Sequence, residues 1–439
     1  MDRLRNVSLT WLLFIAFFSF PLVDYLLRTV LGIPLLGSLW DELVLITLLV
    51  MLGLHWLVGE ADMKELREID VTKPMLLIVL YAIALIFLDI PYLSIGIEGF
   101  RASFQYLFAF FAAFFLLRDQ RRMLTMIYIM IAIGLLMGLH GVYQYIAGVP
   151  MPGNWVDAGE NVRTRAFSFV GSPNVLGSYM AFTIPMACGM AFYWLQMSWK
   201  KTASIRQTIF SKSGLVALLF IGAAGVMALC LLVTFSRGAL LAFGASLALV
   251  ATMIAVMYDK RFLFVVLGAG AAGALLVYIL APTVVERLLY VFSPEYFAKS
   301  SQGGRVTRWL NAFDRMRHEP FFGAGLGQYG GAVGARHFGT IYVDNYYAKT
   351  LAEMGLVGIS LFLWLITAVV KNAFQSWRKV WNSSYRFLAA GLFAGLLAVI
   401  FHNAVENIFE VPFMNVLFWM TAGMLLGLPF TKQEVRHDD

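Results

Sequence analysis

Along most of the chain, apolar residues run unbroken instead of alternating with polar ones. Runs such as Leu77 to Leu88 and Phe262 to Ala281 lack both the period-two pattern of a membrane-barrel strand and the polar face of a soluble amphipathic helix. A transmembrane helix takes about 20 residues. Stretches of that kind fall near 8–28, 36–58, 74–93, 100–117, 123–147, 174–195, 214–235, 238–258, 262–281, 347–370, 387–407 and 411–429. The pattern predicts an all-α polytopic membrane protein of about twelve transmembrane helices, a single integral membrane domain over 1–439 with both termini on one side. Two loops on the opposite side stand out, a shorter one at 148–173 and a large one at 282–346 between helices nine and ten. The second is long enough to be a functional element in its own right. The first apolar run carries Asp24 and Arg28 and has no small-residue cleavage motif, so it reads as a retained helix and not as a signal peptide.

Composition narrows this further. Hydrophobic residues make up 60% and charged residues 13% of the chain, against about 25% charged in a soluble domain, which excludes a soluble two-domain enzyme. Cys188 and Cys230 both lie inside apolar runs and offer neither a disulfide framework nor a cysteine metal site. The net charge is +7, and its distribution matters more than its sum. Of the 33 Lys and Arg, 20 fall in one set of alternate loops and the termini, in clusters such as Arg118, Arg121, Arg122 and Lys200, Lys201, Arg206, Lys212. The positive-inside rule makes that set, and both termini, cytoplasmic. The other 13 face outward, eight of them between Pro282 and Lys349. Such an excess on the wrong side points to an anionic ligand at the exterior face. No repeat relates the first six runs to the last six, which argues against a transporter built from repeats.

Five patterns could carry chemistry. In Arg163-Thr164-Arg165 to Ser172-Pro173-Asn174, Ser172 reads as an N-cap and Pro173 as the first helical residue. A helix start beside arginines can cradle a phosphate; the plainer reading is an ordinary cap with solvated arginines. In Thr234-Phe235-Ser236-Arg237-Gly238, an arginine near hydrocarbon costs roughly 2.5–3.5 kcal/mol at mid-helix and usually faces a polar cavity, unless it snorkels to headgroups. The third pattern is Gly304-Arg305 to Arg315, followed by Glu319-Pro320 and Gly323-Ala324-Gly325-Leu326-Gly327. A helix over 304–317 would place Arg305, Arg308 and Arg315 within an arc of about 80°, with Trp309, Phe313 and Met316 beside them. The same faces would suit an amphipathic helix on anionic headgroups. The fourth is Asp344-Asn345, nine residues, Gly355, two residues and Gly358, where Asp344 taken alone reads as a helix-start carboxylate. The fifth is His402, Glu406 and Glu410, spaced to share one helical face. His337 reads as a lone, solvated loop histidine.

Together these motifs resemble the O-antigen ligase and O-antigen polymerase superfamily of bacterial envelope glycosyltransferases, over about Arg163 to Phe430. The marks are the segment from Arg165 to Pro173-Asn174, the Ser236-Arg237-Gly238 turn, the loop from Gly304-Arg305 through Trp309 and Pro320 to Gly327, and the signature ending at Gly358. In the ligases that signature begins with histidine, whereas Asp344 stands there in this chain, a departure that favours a polymerase. The resemblance implies a fold like that of C-type membrane glycosyltransferases in the bacterial cytoplasmic membrane, with the active site on the extracytoplasmic face. It implies an undecaprenyl-diphosphate-linked oligosaccharide donor, an acceptor glycan, membrane lipids, a chain-length regulator protein as a further partner, and no nucleic acid, metal or other cofactor. Neither Asp-x-Asp nor His-Glu-x-x-His occurs, so arginines would carry the cation's role. Arg165, Arg237 and Arg305 are expected on the diphosphate, where guanidinium groups stabilise the charge that builds as the sugar C1–O bond breaks. Asp344 is the expected base for the acceptor hydroxyl, with His337 as its substitute. Arg308, Arg163, Arg315, Asn345, His402 and Glu406 complete the substrate-binding expectation. Backside attack would invert the anomeric carbon. The alternatives are a ligase acting on a lipid A core or another surface acceptor, and a flippase for polyprenyl-linked glycans. The flippase would need charge pairs along a path through both leaflets, and the arginines lie mainly on one side.

Overall fold

The computed structural model describes residues 2–59, 63–152, 162–199, 204–257, 260–280, 282–290 and 292–431. Residues 153–161 of the shorter loop and the basic pair Lys200 and Lys201 lie outside the described residues. The elements are helices, with no strand among the described residues. Among the described residues, seven are long and apolar enough to cross a membrane: Pro34–Leu57, Gln120–Ala147, Pro173–Trp199, Lys212–Val233, Arg237–Met257, Tyr346–Lys379 and Pro412–Phe430. Two further pairs are sharply bent, Leu9–Phe18 with Phe20–Val30 by 81° and Thr72–Leu88 with Ile90–Ser103 by 100°, which brings the number to nine if each pair is one span. The second bend falls at Asp89-Ile90-Pro91, and the apolar run expected at 100–117 is interrupted at Phe104, between Leu93–Ser103 and Gln105–Leu116. Hydropathy is blind to both breaks, because an apolar run stays apolar whether or not its backbone turns.

The chain forms two compact units. One comprises Met1–Ile133, Arg308–Arg386 and Glu406–Asp439; the other comprises Gly134–Thr307 and Phe387–Val405. In the first, Pro412–Gly427 packs along Ala109–Leu116, and Gly423 brings its backbone against the Phe110 carbonyl. In the second, Lys212–Val233 lies along Pro173–Trp199. There Gly391 and Gly395 face the Pro185 and Phe182 carbonyls, so two backbones meet where larger side chains would hold them apart.

The segment 282–346, expected as a large loop, is folded over its described residues. It contains the helices Pro282–Tyr290, Pro294–Ser301, Arg305–His318 and Ala332–Phe338. Its glycine run is explained by the helix Tyr346–Lys379, which breaks at Gly355 with φ 64° and ψ −166°, a conformation open essentially only to glycine. A break in a membrane helix frees backbone groups that lipid cannot satisfy. The segment Pro320–Gly325 supplies the partners. Leu356 N–H donates to Pro320 O at 2.8 Å, Ala324 N–H to Ala352 O at 2.8 Å and Gly325 N–H to Glu353 O at 3.0 Å. The Tyr81 hydroxyl donates to Met354 O at 2.9 Å. Gly323 lies so close to the Glu353 backbone that no Cβ fits.

A methyl group at residue 355 would force a forbidden backbone conformation and meet the Phe321 backbone. Gly355→Ala should therefore cost about 1–3 kcal/mol from strain alone and more from the collision, giving a large drop in melting temperature or no folded yield in detergent. Gly222→Ala, at a helical position with nothing within 4 Å, should be neutral or stabilising by up to about 1 kcal/mol. Thermal melts of the two purified variants check the contrast.

Candidate active site

The arginine motifs of the second unit form one connected structure. The helices Lys212–Val233 and Arg237–Met257 are separated by a tight turn in which Phe235 has φ 51° and Ser236 N–H donates to Thr234 Oγ1 at 3.2 Å. Arg165 fastens the 162–174 segment to this turn: its Nε donates to Thr234 O at 2.9 Å and its Nη2 to Asn174 Oδ1 at 3.0 Å. Ala166 N–H donates to Val233 O at 2.9 Å. Arg165 is 7% exposed, so it is a buried tie between two of the expected motifs. Ser172 caps its helix as expected, with its Oγ 3.4 Å from Val175 N. Arg163 packs its guanidinium over Gly148, where a side chain would collide with it.

Arg237 opens its helix, half-buried, with its guanidinium carbon 5.1 Å from the Tyr296 ring centre and 5.9 Å from that of Tyr290. A guanidinium carries its N–H bonds in its plane, so contact with a ring face and anion binding can use different directions. Gly238 places the turn against His402, which is 1% exposed and whose Nδ1 has no hydrogen-bond partner among the described residues. Arg305 begins the helix Arg305–His318. Its position is set by Ser300, whose Oγ accepts from Val306 N at 3.1 Å and whose carbonyl accepts from Thr307 Oγ1 at 3.2 Å. Arg305 is close enough to His402 to act on it electrostatically.

In the first unit, Asp344 lies between Val343 and the helix Tyr346–Lys379 with φ 51°, in the left-handed region that Asp and Asn tolerate best among side-chain-bearing residues. The expected capping role belongs to its neighbour. Asn345 is the N-cap, accepting from Ala348 N through Oδ1 at 3.0 Å, and Asp344 instead holds Arg308, with 2.7 Å from Nη1 to Oδ2. Arg308 also donates to Tyr342 O at 3.4 Å. Trp309 and Ala312 pack with Val343 and Ala352 beneath this pair, so one helix supplies both the cation and the apolar support. Arg315 is half-buried on that helix. Burial, and then the nearby Glu410 carboxylate, push the Tyr342 phenol above its ordinary value.

Two expectations are corrected. His402, Glu406 and Glu410 do not share a helical face, because the helix Arg386–His402 ends there and the chain resumes as a short 3-10 turn at Ile408–Glu410. Glu406 Oε1 is 3.4 Å from Asn407 N. His337 is no lone histidine: its Nε2 is 2.7 Å from Glu98 Oε2, and Arg336 donates to Glu98 Oε1 at 3.0 Å, which fastens the helix Ala332–Phe338 to Leu93–Ser103.

A further group escaped the sequence reading. Lys349 is buried between two carboxylates, 2.6 Å from Glu353 Oε2 and 3.2 Å from Glu410 Oε1. Glu353 Oε1 accepts from Tyr329 N at 3.2 Å, and Glu410 Oε2 from Ala332 N at 3.3 Å. The spacing of Lys349 and Glu353 inside an apolar run was the available signal, since i, i+4 places them on one face and burial demands a partner. Among the described residues, no three His, Cys, Asp or Glu are grouped so as to hold a metal.

Residues 222–363 match the family model described as O-antigen ligase. This match supports the O-antigen ligase and polymerase superfamily for the chain. The segment contains Arg237, Arg305, Arg308, His337, Asp344 and Gly358, and leaves Arg165 outside it. None of the curated proteins matches the chain.

Because Arg165 is buried on protein acceptors, its removal should be read first in stability. Arg165→Ala should lower stability by about 1.5–3 kcal/mol, the range for hydrogen bonds to a charged group. The exposed Arg317, paired with Asp314, should change it by no more than about 0.5 kcal/mol when replaced by alanine. Thermal denaturation in one detergent compares the two.

Proposed function

We propose that the chain is a membrane glycosyltransferase that moves a glycan from undecaprenyl diphosphate to the sugar hydroxyl of an acceptor, and that it polymerises O-antigen or exopolysaccharide repeat units. The observation that supports this best is the family match over 222–363, which contains Arg237, Arg305 and the Arg308–Asp344 pair. In this reading the loop 282–346 faces away from the cytoplasm, as the positive-inside count implies. The donor already carries a good leaving group, so the protein's work is to stabilise the charge gathering on the diphosphate and to remove the acceptor's proton. Arg237 and Arg305 take the first role, with Arg165 setting the turn that carries Arg237. Asp344 takes the second, oriented by Arg308. Attack by the acceptor oxygen on C1 displaces the diphosphate from the opposite face and inverts the anomeric carbon, with no metal required.

The ligase remains the second reading, favoured by the description of the family model itself. It differs only in the acceptor, a lipid A core or another surface glycan. Asp344 in the place of the ligase histidine supports the polymerase, and a chain-length regulator belongs to that reading alone.

Asp344→Asn preserves shape and suits the left-handed backbone, but removes the base. Turnover in extension of a lipid-linked repeat should fall by ~10²–10⁴-fold while folding is unchanged; an Asn variant of parental activity removes Asp344 from the mechanism. Arg237→Lys should be nearly as damaging as Arg237→Ala, because a point charge does not reproduce a planar fork. A well-expressed lysine variant that keeps most of the activity would leave Arg237 only a general electrostatic role.

A further inference from the structure

Asp344 is fixed from both sides by main-chain hydrogen bonds that meet at one side chain. The residue before it, Val343, donates its N–H to Gly330 O at 2.9 Å. The residue after it, Asn345, donates its N–H to Asn407 Oδ1 at 3.2 Å. Asn407 Nδ2 in turn donates to the same Gly330 carbonyl at 2.9 Å and to Glu410 Oε2 at 3.2 Å. The partners fix the amide's orientation: a backbone N–H requires the oxygen, and a carbonyl and a carboxylate require the nitrogen. Asn407 is 5% exposed, so these bonds do not compete with bulk water. Glu410 is anchored in its turn by Lys349 at 3.2 Å.

We propose that Asn407 is a positioning residue for Asp344, an inference that rests on the reading of Asp344 as the base. Only an amide offers an acceptor to Asn345 N–H and a donor to Gly330 O at this reach. A carboxylate at position 407 would turn its charge on Gly330 O and Glu410, and a leucine would take away the acceptor of Asn345 N–H and one of the two donors to Gly330 O. Through Asn407 the left-handed turn at Asp344 is tied to the buried Lys349, Glu353 and Glu410 cluster, and the carboxylate is held toward Arg308. A base displaced by about 1 Å loses on the order of 10²-fold in rate, so the clamp should show in kcat and not in substrate affinity.

The test compares Asn407→Ser, which keeps a shorter donor and acceptor, and Asn407→Leu, each alone and combined with Asp344→Asn. Melting and size-exclusion profiles identify the folded variants; if the leucine variant does not fold, the serine variant carries the same comparison. Extension of a lipid-linked repeat is measured at saturating and limiting donor. The expected result is a fall in kcat of roughly 10-fold or more for Ser and a larger one for Leu, within the range for misplaced groups, with KM changed by less than about 2-fold. On top of Asp344→Asn, the same substitutions should lower the residual turnover by less than about 2-fold, because residues acting as a unit are not additive. An equal loss with and without Asp344 would make Asn407 a general structural residue and overturn the proposal. Parental kcat for Asn407→Ser beside an inactive Asp344→Asn would also overturn it while leaving the base reading intact. Parental activity of Asp344→Asn itself would overturn both.

Discussion

In lipid every backbone N–H and C=O needs a partner within the protein, and the break of the helix Tyr346–Lys379 at Gly355 is the point where this constraint organises the first unit. The groups that the break exposes are satisfied by Pro320–Gly325, so the segment ahead of this helix is bonded into it. Once that segment is fixed, the following chain is fixed as well. Tyr329 and Ala332 donate to the Glu353 and Glu410 carboxylates, and Gly330 accepts from Val343. The position of Asp344 therefore follows from a glycine 11 residues away in sequence, through backbone hydrogen bonding and a buried lysine with two carboxylate partners.

A parallel logic holds in the second unit. A buried guanidinium is costly unless its donors are used, and Arg165 uses them on Thr234 O and Asn174. Those two acceptors lie at a helix C-terminus and a helix N-terminus, so one side chain sets the relation between the segment leading into Pro173–Trp199 and the turn that presents Arg237. Arg165 thus supports the diphosphate site proposed for Arg237 through geometry more than through its own charge.

Much of this was legible in the sequence, and the gaps have identifiable causes. Unalternating apolar runs announced the helices, and the arginine-rich 304–317 segment contains one partner of the Arg308–Asp344 ion pair. The helix over Arg305–His318 appeared as expected, with Ala312 and Met316 buried. Bends were missed, since the window 74–93 stays apolar on average despite Asp89 and Pro91 and hydropathy carries no direction. The His402, Glu406, Glu410 spacing failed because periodicity has meaning only while the helix continues, and the helix stops at His402. Asp344 and Asn345 are both good caps, and the capping role expected of Asp344 fell to Asn345; the partner of Asp344, Arg308, lies 36 residues away. The Lys349 cluster needed Glu410, which only the folded chain brings to it.

The central claim is that this chain transfers a diphosphate-linked glycan instead of merely binding or translocating it. Purified protein in liposomes, given an undecaprenyl-diphosphate-linked repeat, measures it most directly. The predicted result is one molecule of undecaprenyl diphosphate released for each glycan transferred, with the new linkage inverted at the anomeric carbon. Passage of the lipid-linked glycan across the bilayer with no diphosphate released, or transfer that retains configuration, would contradict the account.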